Sequence, residues 1–422
     1  MNPPARLRSL HIGQRARQTL ATRRGRLGLF GVVAAVGLLG AGVAGVLAVH
    51  DETFQLEGNA RESDLSFRDI DDICPGNPVC TVLTDGTLVS PFNGEFDWDS
   101  LFEQAADGTG KERATLPTGF TGADFVRDFK FAGSTYLTSD DTTFATGSKD
   151  TLPITPGWQC NQDNNVNSKT DIVNAYATIW EGNGKRILYF GLEKDQDSGS
   201  NNVGVWLLQS AISCPGGGTG NGNPFSGTHL PGDIFMVSEF TNGGGVSTIR
   251  GYEWKADINA KQAGNQPGLD PNPFLISGDC TVSAGQPGFD DRMCATSNRV
   301  AIEPAWTHWS FENGVNNGMR AATFVEGGIS LLEFDQFQNK CFSRFLMNTR
   351  SSQELTATLY DYALGDINTC NANVSIATSA TNVVGNPHTF TITANALGGV
   401  TPASIAISPT LSPAVVAPAT TS

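Results

Sequence analysis

Positive charge and histidine are scarce in this sequence of 422 residues, which holds 27 Lys and Arg, 42 Asp and Glu and 5 His. Seven of the basic residues are arginines in the first 48 positions, and taking these seven from 27 leaves 20 basic against 42 acidic residues. Proteins that bind nucleic acid need a basic stripe to neutralise the phosphates. The composition therefore predicts that nucleic acid is not a partner.

Sequence signatures of nucleotide-binding and hydrolytic enzymes are missing too. Gly108–Lys111 and Gly182–Lys185 both contain Gly-Lys, but neither is followed by the Ser or Thr of a phosphate-binding loop. No serine lies in the Gly-x-Ser-x-Gly turn of the α/β hydrolases. His308, which stands close to two tryptophans, is interpreted as a core residue. We therefore assign no catalytic residue from the sequence.

The N-terminal residues 1–48 differ in kind from the rest of the chain. Their arginines precede an uncharged run from Leu27 to Val49, which is the pattern of an export signal. Small or medium residues precede the end of that run, and we predict cleavage after Ala48. An uncleaved anchor is the alternative, because about 20 apolar residues span a bilayer, and the basic flank would then stay in the cytoplasm. Both alternatives predict an extracellular or cell-surface protein that meets the membrane only through this segment.

All eight cysteines lie in the predicted exported part of the chain. An even number of cysteines outside the cytoplasm favours disulfides. The sequence has no Cys-x-x-Cys, and no histidine stands near a cysteine at zinc-binding spacing. We predict sequential pairing: Cys74–Cys80, Cys160–Cys214, Cys280–Cys294 and Cys341–Cys370.

Short apolar runs separated by turn residues recur along the exported part, which predicts an all-β fold. The clearest hairpin joins Asp233–Phe240 to Val246–Trp254 through a glycine-rich turn. Arg186–Leu192 and Val203–Leu208 are nearly continuous apolar runs, and we interpret them as a second pair of strands, covered on both faces. The glycine inside each run indicates a bulge or close packing. Further strands are predicted at Ala175–Trp180, Arg320–Val325, Cys341–Met347 and Thr356–Ala363, and a short helix at Ile329–Gln338.

The composition divides the chain into three parts. After the leader, residues 49–372 are predicted to form one large β-sandwich with long loops. Residues 373–422 are rich in Ala, Thr, Ser, Val and Pro and contain no cysteine. His388–Ala394 alternates like a strand, which predicts the start of an immunoglobulin-like β domain; a disordered linker is the alternative.

Several segments together resemble an uncharacterised family of large exported bacterial surface proteins. They are Thr146–Asp150, Lys169–Ala177, Leu188–Gly191, Gly204–Trp206, Gly232–Gly244, Phe324–Ile329, Thr349–Ser352, Thr358–Asp361 and Gly365–Cys370. The resemblance covers most of residues 54–370 and implies a β-rich first domain followed by immunoglobulin-like or prealbumin-like repeats. It implies no activity, so no catalytic residue is carried over. The domain also resembles the concanavalin-type jelly roll of lectins and certain glycanases, a likeness of fold that does not determine function.

Two tryptophans are candidate ligand-binding residues. Trp158 and Trp254 are flanked by polar residues or glycine, which predicts that they are exposed. An exposed indole can stack on a sugar ring, although tryptophans in a large β domain also serve in the core.

Calcium is the predicted cofactor. Asp195, Asp197 and Asn201 lie in a glycine-containing loop between the two apolar runs, and hard oxygen ligands of this kind suit Ca²⁺. The alternative is a solvated turn rich in Asp and Asn.

These observations favour a non-catalytic protein for adhesion or recognition, with an extracellular glycan or protein as its ligand. A glycan-cleaving hydrolase is one alternative. Its best support is the Glu333-x-Asp335-x-x-Gln338 segment, in which glutamine replaces the last carboxylate of the glycanase pattern. A purely structural envelope component is the other alternative.

Overall fold

The computed structural model describes most of the chain from Val49 to residue 396. It describes Val49 and residues 54–56, 58–60, 81–82, 88–89, 96–128, 130–132, 135–137, 142–145, 147–161, 166–197, 201–214, 222–240, 246–260, 264–281, 290, 292–310, 314–316, 318–369, 372–377 and 391–396. Within these ranges no helix is long and apolar enough to cross a membrane.

Strands make up most of the regular structure. They are β1 (Thr81–Val82), β2 (Leu88–Val89), β3 (Phe102–Gln104), β4 (Gly110–Glu112), β5 (Phe120–Arg127), β6 (Lys130–Ala132), β7 (Thr135–Leu137), β8 (Thr143–Phe144), β9 (Gln159–Asn161), β10 (Ile172–Gly182), β11 (Lys185–Lys194), β12 (Asn201–Leu208), β13 (Asn223–Pro224), β14 (Ile234–Phe240), β15 (Val246–Ala260), β16 (Gly264–Leu269), β17 (Leu275–Ser277), β18 (Met293–Ser297), β19 (His308–Ser310), β20 (Gly314–Asn316), β21 (Phe324–Ser330), β22 (Arg344–Arg350), β23 (Leu359–Asp366), β24 (Ala372–Ala377) and β25 (Thr391–Ala396). The helical segments are α1 (Trp98–Leu101), α2 (Ile154–Gly157) and a 3-10 helix (Leu331–Glu333).

Two antiparallel sheets dominate the structure. The five-stranded sheet has the order β18-β21-β11-β10-β5, and the ten-stranded sheet has the order β13-β9-β8-β23-β22-β12-β14-β15-β16, with β17 paired to β15. The chain passes back and forth between the two sheets. In each sheet, strands from late in the sequence therefore lie beside strands from early in the sequence. The predicted all-β class is confirmed.

The main core lies between the two sheets. Leu188 and Phe190 of the five-stranded sheet pack in one buried cluster with Val205, Met236 and Phe345 of the ten-stranded sheet. Because side chains alternate across a strand, the residues between these point to the opposite face. The two sheets therefore form a β-sandwich.

Both outer faces of the sandwich are covered as well. Phe54 and Trp98 pack on Tyr176 and Tyr189 of the five-stranded sheet in a second buried cluster. A third cluster covers the ten-stranded sheet, where segments before β10 and β14 pack on residues such as Trp206. The central strands β10, β11, β12, β21 and β22 are consequently buried along almost their whole length.

The predicted pairing of the two apolar runs is wrong. The run 186–192 lies in β11, which pairs with β10 and β21. The run 203–208 lies in β12, which pairs with β14 and β22 in the other sheet. The connection between them crosses from one sheet to the other, and both runs are apolar because both faces of each strand are buried.

The hairpin prediction is confirmed, whereas a later strand is displaced. β14 and β15 pair antiparallel at the predicted positions. The strand predicted at Arg320–Val325 begins at Phe324 and continues to Ser330. Gly327 and Gly328 belong to this strand, where a Cβ atom at Gly327 would lie 2.5 Å from the carbonyl oxygen of Cys294. Close packing, and not a turn, therefore accounts for this glycine pair.

Other predicted elements differ at their bounds. β10 contains the strand predicted at 175–180 and is longer. β22 and β23 each begin three residues later than predicted. The helix predicted at 329–338 is wrong: β21 ends there, and the 3-10 helix is followed by turns. β24 and β25 pair antiparallel in the C-terminal part, while the immunoglobulin-like repeat and the domain bounds stay predictions.

Two of the four predicted disulfides are confirmed, Cys160–Cys214 and Cys280–Cys294. Cys341 is disulfide-bonded too. Its predicted partner Cys370 lies outside the described residues, as do Cys74 and Cys80. Disulfides of this kind form in an oxidising compartment and not in the reducing cytosol.

Candidate functional site

The outer face of the ten-stranded sheet carries an aromatic cluster around one histidine. His229 stacks on Trp254 of β15, with ring centroids 4.0 Å apart and an interplanar angle of 23°. Its ring lies 4.5 Å from that of Trp206 in β12 and 5.1 Å from that of Trp158, which follows α2. The fold therefore brings the two sequence-predicted tryptophans to the same histidine.

The prediction that Trp158 and Trp254 are exposed is wrong. Their exposed fractions are 0% and 3%. Neighbouring residues of an extended chain point to opposite faces, so the polar residues beside each tryptophan face away from the indole. The Trp158 Nε1–H donates to the carbonyl of Lys149 at 2.9 Å. Both indoles line the core under the covering loops, and neither offers an open face for a sugar in this structure.

His229 forms a dyad with Asp233 at the start of β14. Its Nδ1 lies 3.2 Å from Asp233 Oδ2, which also accepts the Leu230 N–H at 2.9 Å. The other carboxylate oxygen accepts the backbone and side-chain N–H groups of Gln209, each at 3.0 Å. The His229 Nε2 atom is buried and has no hydrogen-bonding partner in the described part of the chain. Burial lowers the pKa of His229, against the opposing effect of Asp233.

A buried ion pair lies beside this cluster. Asp150 Oδ2 is 2.6 Å from Arg350 Nη1, and neither side chain is exposed. The other oxygen of Asp150 accepts the Trp206 Nε1–H at 2.8 Å. The guanidinium of Arg350 also lies 4.9 Å from the ring centroid of Phe235. The ion pair joins the segment before α2 to the sheet.

A second polar cluster lies on the outer face of the five-stranded sheet. Glu193, at the end of β11, accepts three hydrogen bonds: from Trp306 Nε1 at 2.7 Å, His308 Nδ1 at 2.8 Å and Asn174 Nδ2 at 2.8 Å. Glu193 is 0% exposed and His308 is 2% exposed. His308, which is interpreted from the sequence as a core residue, is therefore buried.

Glu326 of β21 is the second buried carboxylate of this face. It accepts the Trp98 Nε1–H at 2.8 Å and the Gly58 N–H at 2.7 Å. Asp97 caps α1 in a capping box with Ser100, and this cap fixes the start of the helix that carries Trp98. Glu326 therefore ties two covering segments to the sheet.

Tyr176 of β10 lies close enough to both glutamates to feel their charge. Burial, together with the negative charges of Glu193 and Glu326, raises the pKa of its hydroxyl well above the usual value. Its ring fills the space over Gly191, where a Cβ atom would be 2.2 Å from the ring. The glycine inside β11 thus reflects close packing, as one of the two sequence interpretations expects.

This arrangement differs from that of a glycanase cleft. Such enzymes place two carboxylates on either side of a bound sugar, with one carboxyl group able to give and take a proton. Glu193 and Glu326 are instead fully buried and occupied by N–H donors. The other candidate carboxylate, Glu333, lies in the 3-10 helix and not on a strand, with its Oε1 atom 3.4 Å from Lys185 Nζ. Gln338 donates to the carbonyl of Leu332 at 3.1 Å.

The predicted calcium ligands lie at the end of β11 and the start of β12. Asp195 is buried, and Asp197 is half-buried with its Oδ1 atom 3.9 Å from Arg320 Nη1. The adjacent Lys194 is buried, and burial lowers the pKa of its ammonium to about 7. The side chain of Asn201 and residues 198–200 lie outside the described residues, so the calcium site stays a prediction. No set of three His, Cys, Asp or Glu side chains in the described ranges is placed to hold a metal ion.

Sequence reasoning did not find Glu193, Glu326 or the His229–Asp233 dyad. The signal for the glutamates was a single carboxylate inside an otherwise apolar strand, since a buried charge needs partners. The partners themselves lie far away in sequence: Trp98 is 228 residues from Glu326. Comparison of the chain with protein-family models, with curated proteins and with solved structures gives no match.

Proposed function

We propose that this chain is a secreted or cell-surface protein whose β-sandwich serves adhesion or recognition without catalysis, with an extracellular glycan or protein as ligand. The observation that carries the proposal is the covering of both outer sheet faces. The central strands of the described sheets offer no open face for a substrate cleft. The surface left for a ligand is that of the loops and sheet edges, where binding commonly resides on a rigid scaffold.

The buried charges support binding over catalysis. The two glutamates on the covered face each accept hydrogen bonds from tryptophan N–H groups. A general acid or base must reach the proton that it transfers, and fully buried, hydrogen-bonded carboxylates do not meet that need. The glutamates and the tryptophans stabilise the fold because each buried N–H group has an acceptor and each buried carboxylate has donors.

The disulfides support export. Two cystines, Cys160–Cys214 and Cys280–Cys294, lie in the covering layers and at the edge of the sandwich. Together with the basic leader and the acidic composition of the rest of the chain, they support a protein that folds and acts outside the cytoplasm.

A binding screen with an activity control tests the proposal. The full-length, disulfide-bonded chain is applied to arrays of extracellular glycans and of cell-surface proteins, and the same sample is incubated with soluble polysaccharides while released reducing ends are measured. Saturable binding without release of reducing ends supports the proposal. Turnover of any glycan overturns it in favour of a hydrolase, and silence in every assay overturns it in favour of a structural envelope component.

Exposed apolar side chains provide variants that map the binding surface. Leu230, Ile276 and Val300 are 40%, 52% and 36% exposed and lie on different loops and edges. Single exposed apolar residues are common, so each is tested separately as Leu230→Ser, Ile276→Ser and Val300→Ser. Loss of binding in one variant with the others unchanged locates the site.

A further inference from the structure

One buried side chain interrupts an otherwise exposed loop before β14. Thr228, Leu230 and Pro231 are at least partly exposed, whereas His229 between them is buried with only 1% of its side chain exposed. Its ring lies against the indoles of the tryptophan cluster described above. The histidine therefore closes the surface over these indoles.

We propose that His229 is an acid-sensitive plug, and that protonation of its imidazole releases the loop at residues 228–231 and exposes the tryptophans beneath it. This proposal is independent of the ligand proposed above. Histidine is the side chain whose charge changes between about pH 5 and 8. A buried histidine packed on a rigid sheet is therefore placed to convert acidification into a change of surface.

The neutral ring fits its site and the charged ring does not. In the neutral form Nδ1–H donates to Asp233, and the Nε2 lone pair stays buried among indoles. Protonation places an N–H donor at Nε2, where no acceptor lies in the described part of the chain. A buried, unsatisfied charged donor is costly. Contact with the indole faces recovers part of that cost through cation–π attraction, and opening the loop recovers it by hydration.

The charged groups around the ring do not supply a second counter-ion. Asp233 lies on the loop side and already accepts N–H groups from Leu230 and Gln209. Asp150 faces the ring from the segment before α2 but is paired with Arg350 of β22. Lys340, beyond the 3-10 helix, touches the loop from outside and donates to the carbonyl of Pro231 at 2.8 Å.

The loop is also easier to release than the tryptophans. Two of its carbonyl groups accept from side chains: Pro231 from Gln209 and Lys340, and Thr228 from Ser210. The Leu230 carbonyl accepts the backbone N–H of Asp233 at 2.9 Å. Trp206 and Trp254 lie in paired strands of the sheet. Side-chain bonds at an exposed loop open at lower free energy than a buried sheet does. Acid therefore moves the loop and leaves the tryptophans in place.

Acrylamide quenching of tryptophan fluorescence tests the plug in the full-length, disulfide-bonded chain. We expect the quenching constant to rise about two-fold, reversibly, as the pH is lowered from about 7.5, with a midpoint below the ordinary histidine value of about 6.5 because burial lowers the pKa of His229, and with the far-ultraviolet circular dichroism unchanged. His229→Phe keeps an aromatic plug that cannot titrate, and it should abolish the rise. His308→Gln removes the other described histidine, which lies in β19 and bonds to Glu193 of the five-stranded sheet, and should leave the rise intact.

Asp233→Asn gives a second readout. Because the Asp233 carboxylate favours the imidazolium, its loss should shift the midpoint of the quenching change to lower pH. Quenching that stays constant with pH in the wild type, or that rises equally in His229→Phe, overturns the proposal. If His229→Phe does not fold, amide hydrogen exchange of residues 228–231 in the wild type decides the matter: exchange that does not accelerate as the His229 ring titrates also overturns it.

Discussion

The glycines and asparagines of this sandwich differ in how closely other side chains pack around them. Gly191 and Asn174 are in contact with the buried Tyr176–Glu193 group, whereas at Gly122, on the edge strand β5, no atom lies within 4 Å of the position that a Cβ atom would take. The residue type alone does not distinguish these positions. Contacts do, and they lead to two predictions at this scale.

The first prediction concerns glycine in a strand. Gly191→Ala would place a Cβ atom 2.2 Å from the Tyr176 ring, and overpacking of a core costs about 1–3 kcal/mol. We expect a loss of that size in the free energy of unfolding, measured by urea denaturation. Gly122→Ala is the matched control and should change it by less than about 0.5 kcal/mol. Equal effects of the two substitutions would contradict the packing argument.

The second prediction concerns buried amides. Asn348 is 0% exposed, and neither polar atom of its side chain has a hydrogen-bonding partner among the described residues. Asn348→Leu should therefore be neutral or stabilising by up to about 1 kcal/mol, because it removes an unsatisfied polar group. Asn174→Leu should cost about 1–3 kcal/mol, because it leaves Glu193 short of a donor. The order of the two melting temperatures tests this, and a less stable Asn348→Leu would show that its amide has a partner such as bound water.

Secondary-structure elements were predictable where the signal is local. The β14–β15 hairpin follows from alternation and a glycine-rich turn, and two disulfides follow from neighbouring cysteines in sequence. The assignment of β11 and β12 to opposite sheets was not predictable, because a continuous apolar run shows burial but not the identity of the partner strand. The burial of Trp254 was not predictable for a similar reason. Its polar neighbours in sequence indicate that the opposite face of the strand is exposed, and they carry no information on the face where the indole lies.

The site was less predictable than the elements. Glu326 is bonded to Gly58, 268 residues away in sequence, and no local pattern connects the two. His229 and Asp233 are only four residues apart, but the aromatic cluster around His229 is built from tryptophans of three separate segments.

At the scale of elements, the two cystines close loops of different length. The sequence separation is 54 residues for Cys160–Cys214 and 14 for Cys280–Cys294. Chain-entropy arguments give about 4 kcal/mol for the longer loop and about 3 kcal/mol for the shorter one. We expect Cys160→Ala/Cys214→Ala to lose more stability than Cys280→Ala/Cys294→Ala in chemical denaturation. The reverse order would show that native packing around Cys280 and Cys294, and not loop length, determines the loss.

At the scale of the whole molecule, Lys194 gives stability an unusual pH dependence. Burial lowers its pKa from 10.5 to about 7, so above about pH 7 the unfolded chain binds more protons than the folded one. Stability should then rise from about pH 7 to about pH 10, by an amount on the order of 4 kcal/mol. Tyr176 and Tyr189 have raised pKa values because they are buried, and they should reverse the trend above about pH 10.

Lys194→Met tests this dependence. The substitution keeps an unbranched apolar chain and removes the titrating group, so the rise between about pH 7 and about pH 10 should flatten relative to the wild type. Urea denaturation of both proteins across that range measures the difference. Identical pH profiles would mean that Lys194 is charged in the folded protein at neutral pH.

The interleaved order of the strands also has a consequence for biogenesis. β21 lies between β18 and β11, while β22 and β23 lie between β12 and β8. Neither sheet can be completed until the polypeptide has been synthesised well past its midpoint, and the larger sheet needs the chain as far as Asp366, the last residue of β23. Such non-local pairing slows folding. If the chain is exported as proposed, this strand order would keep both sheets open until most of the polypeptide has been made, and closure of the sandwich would then follow passage through the export channel.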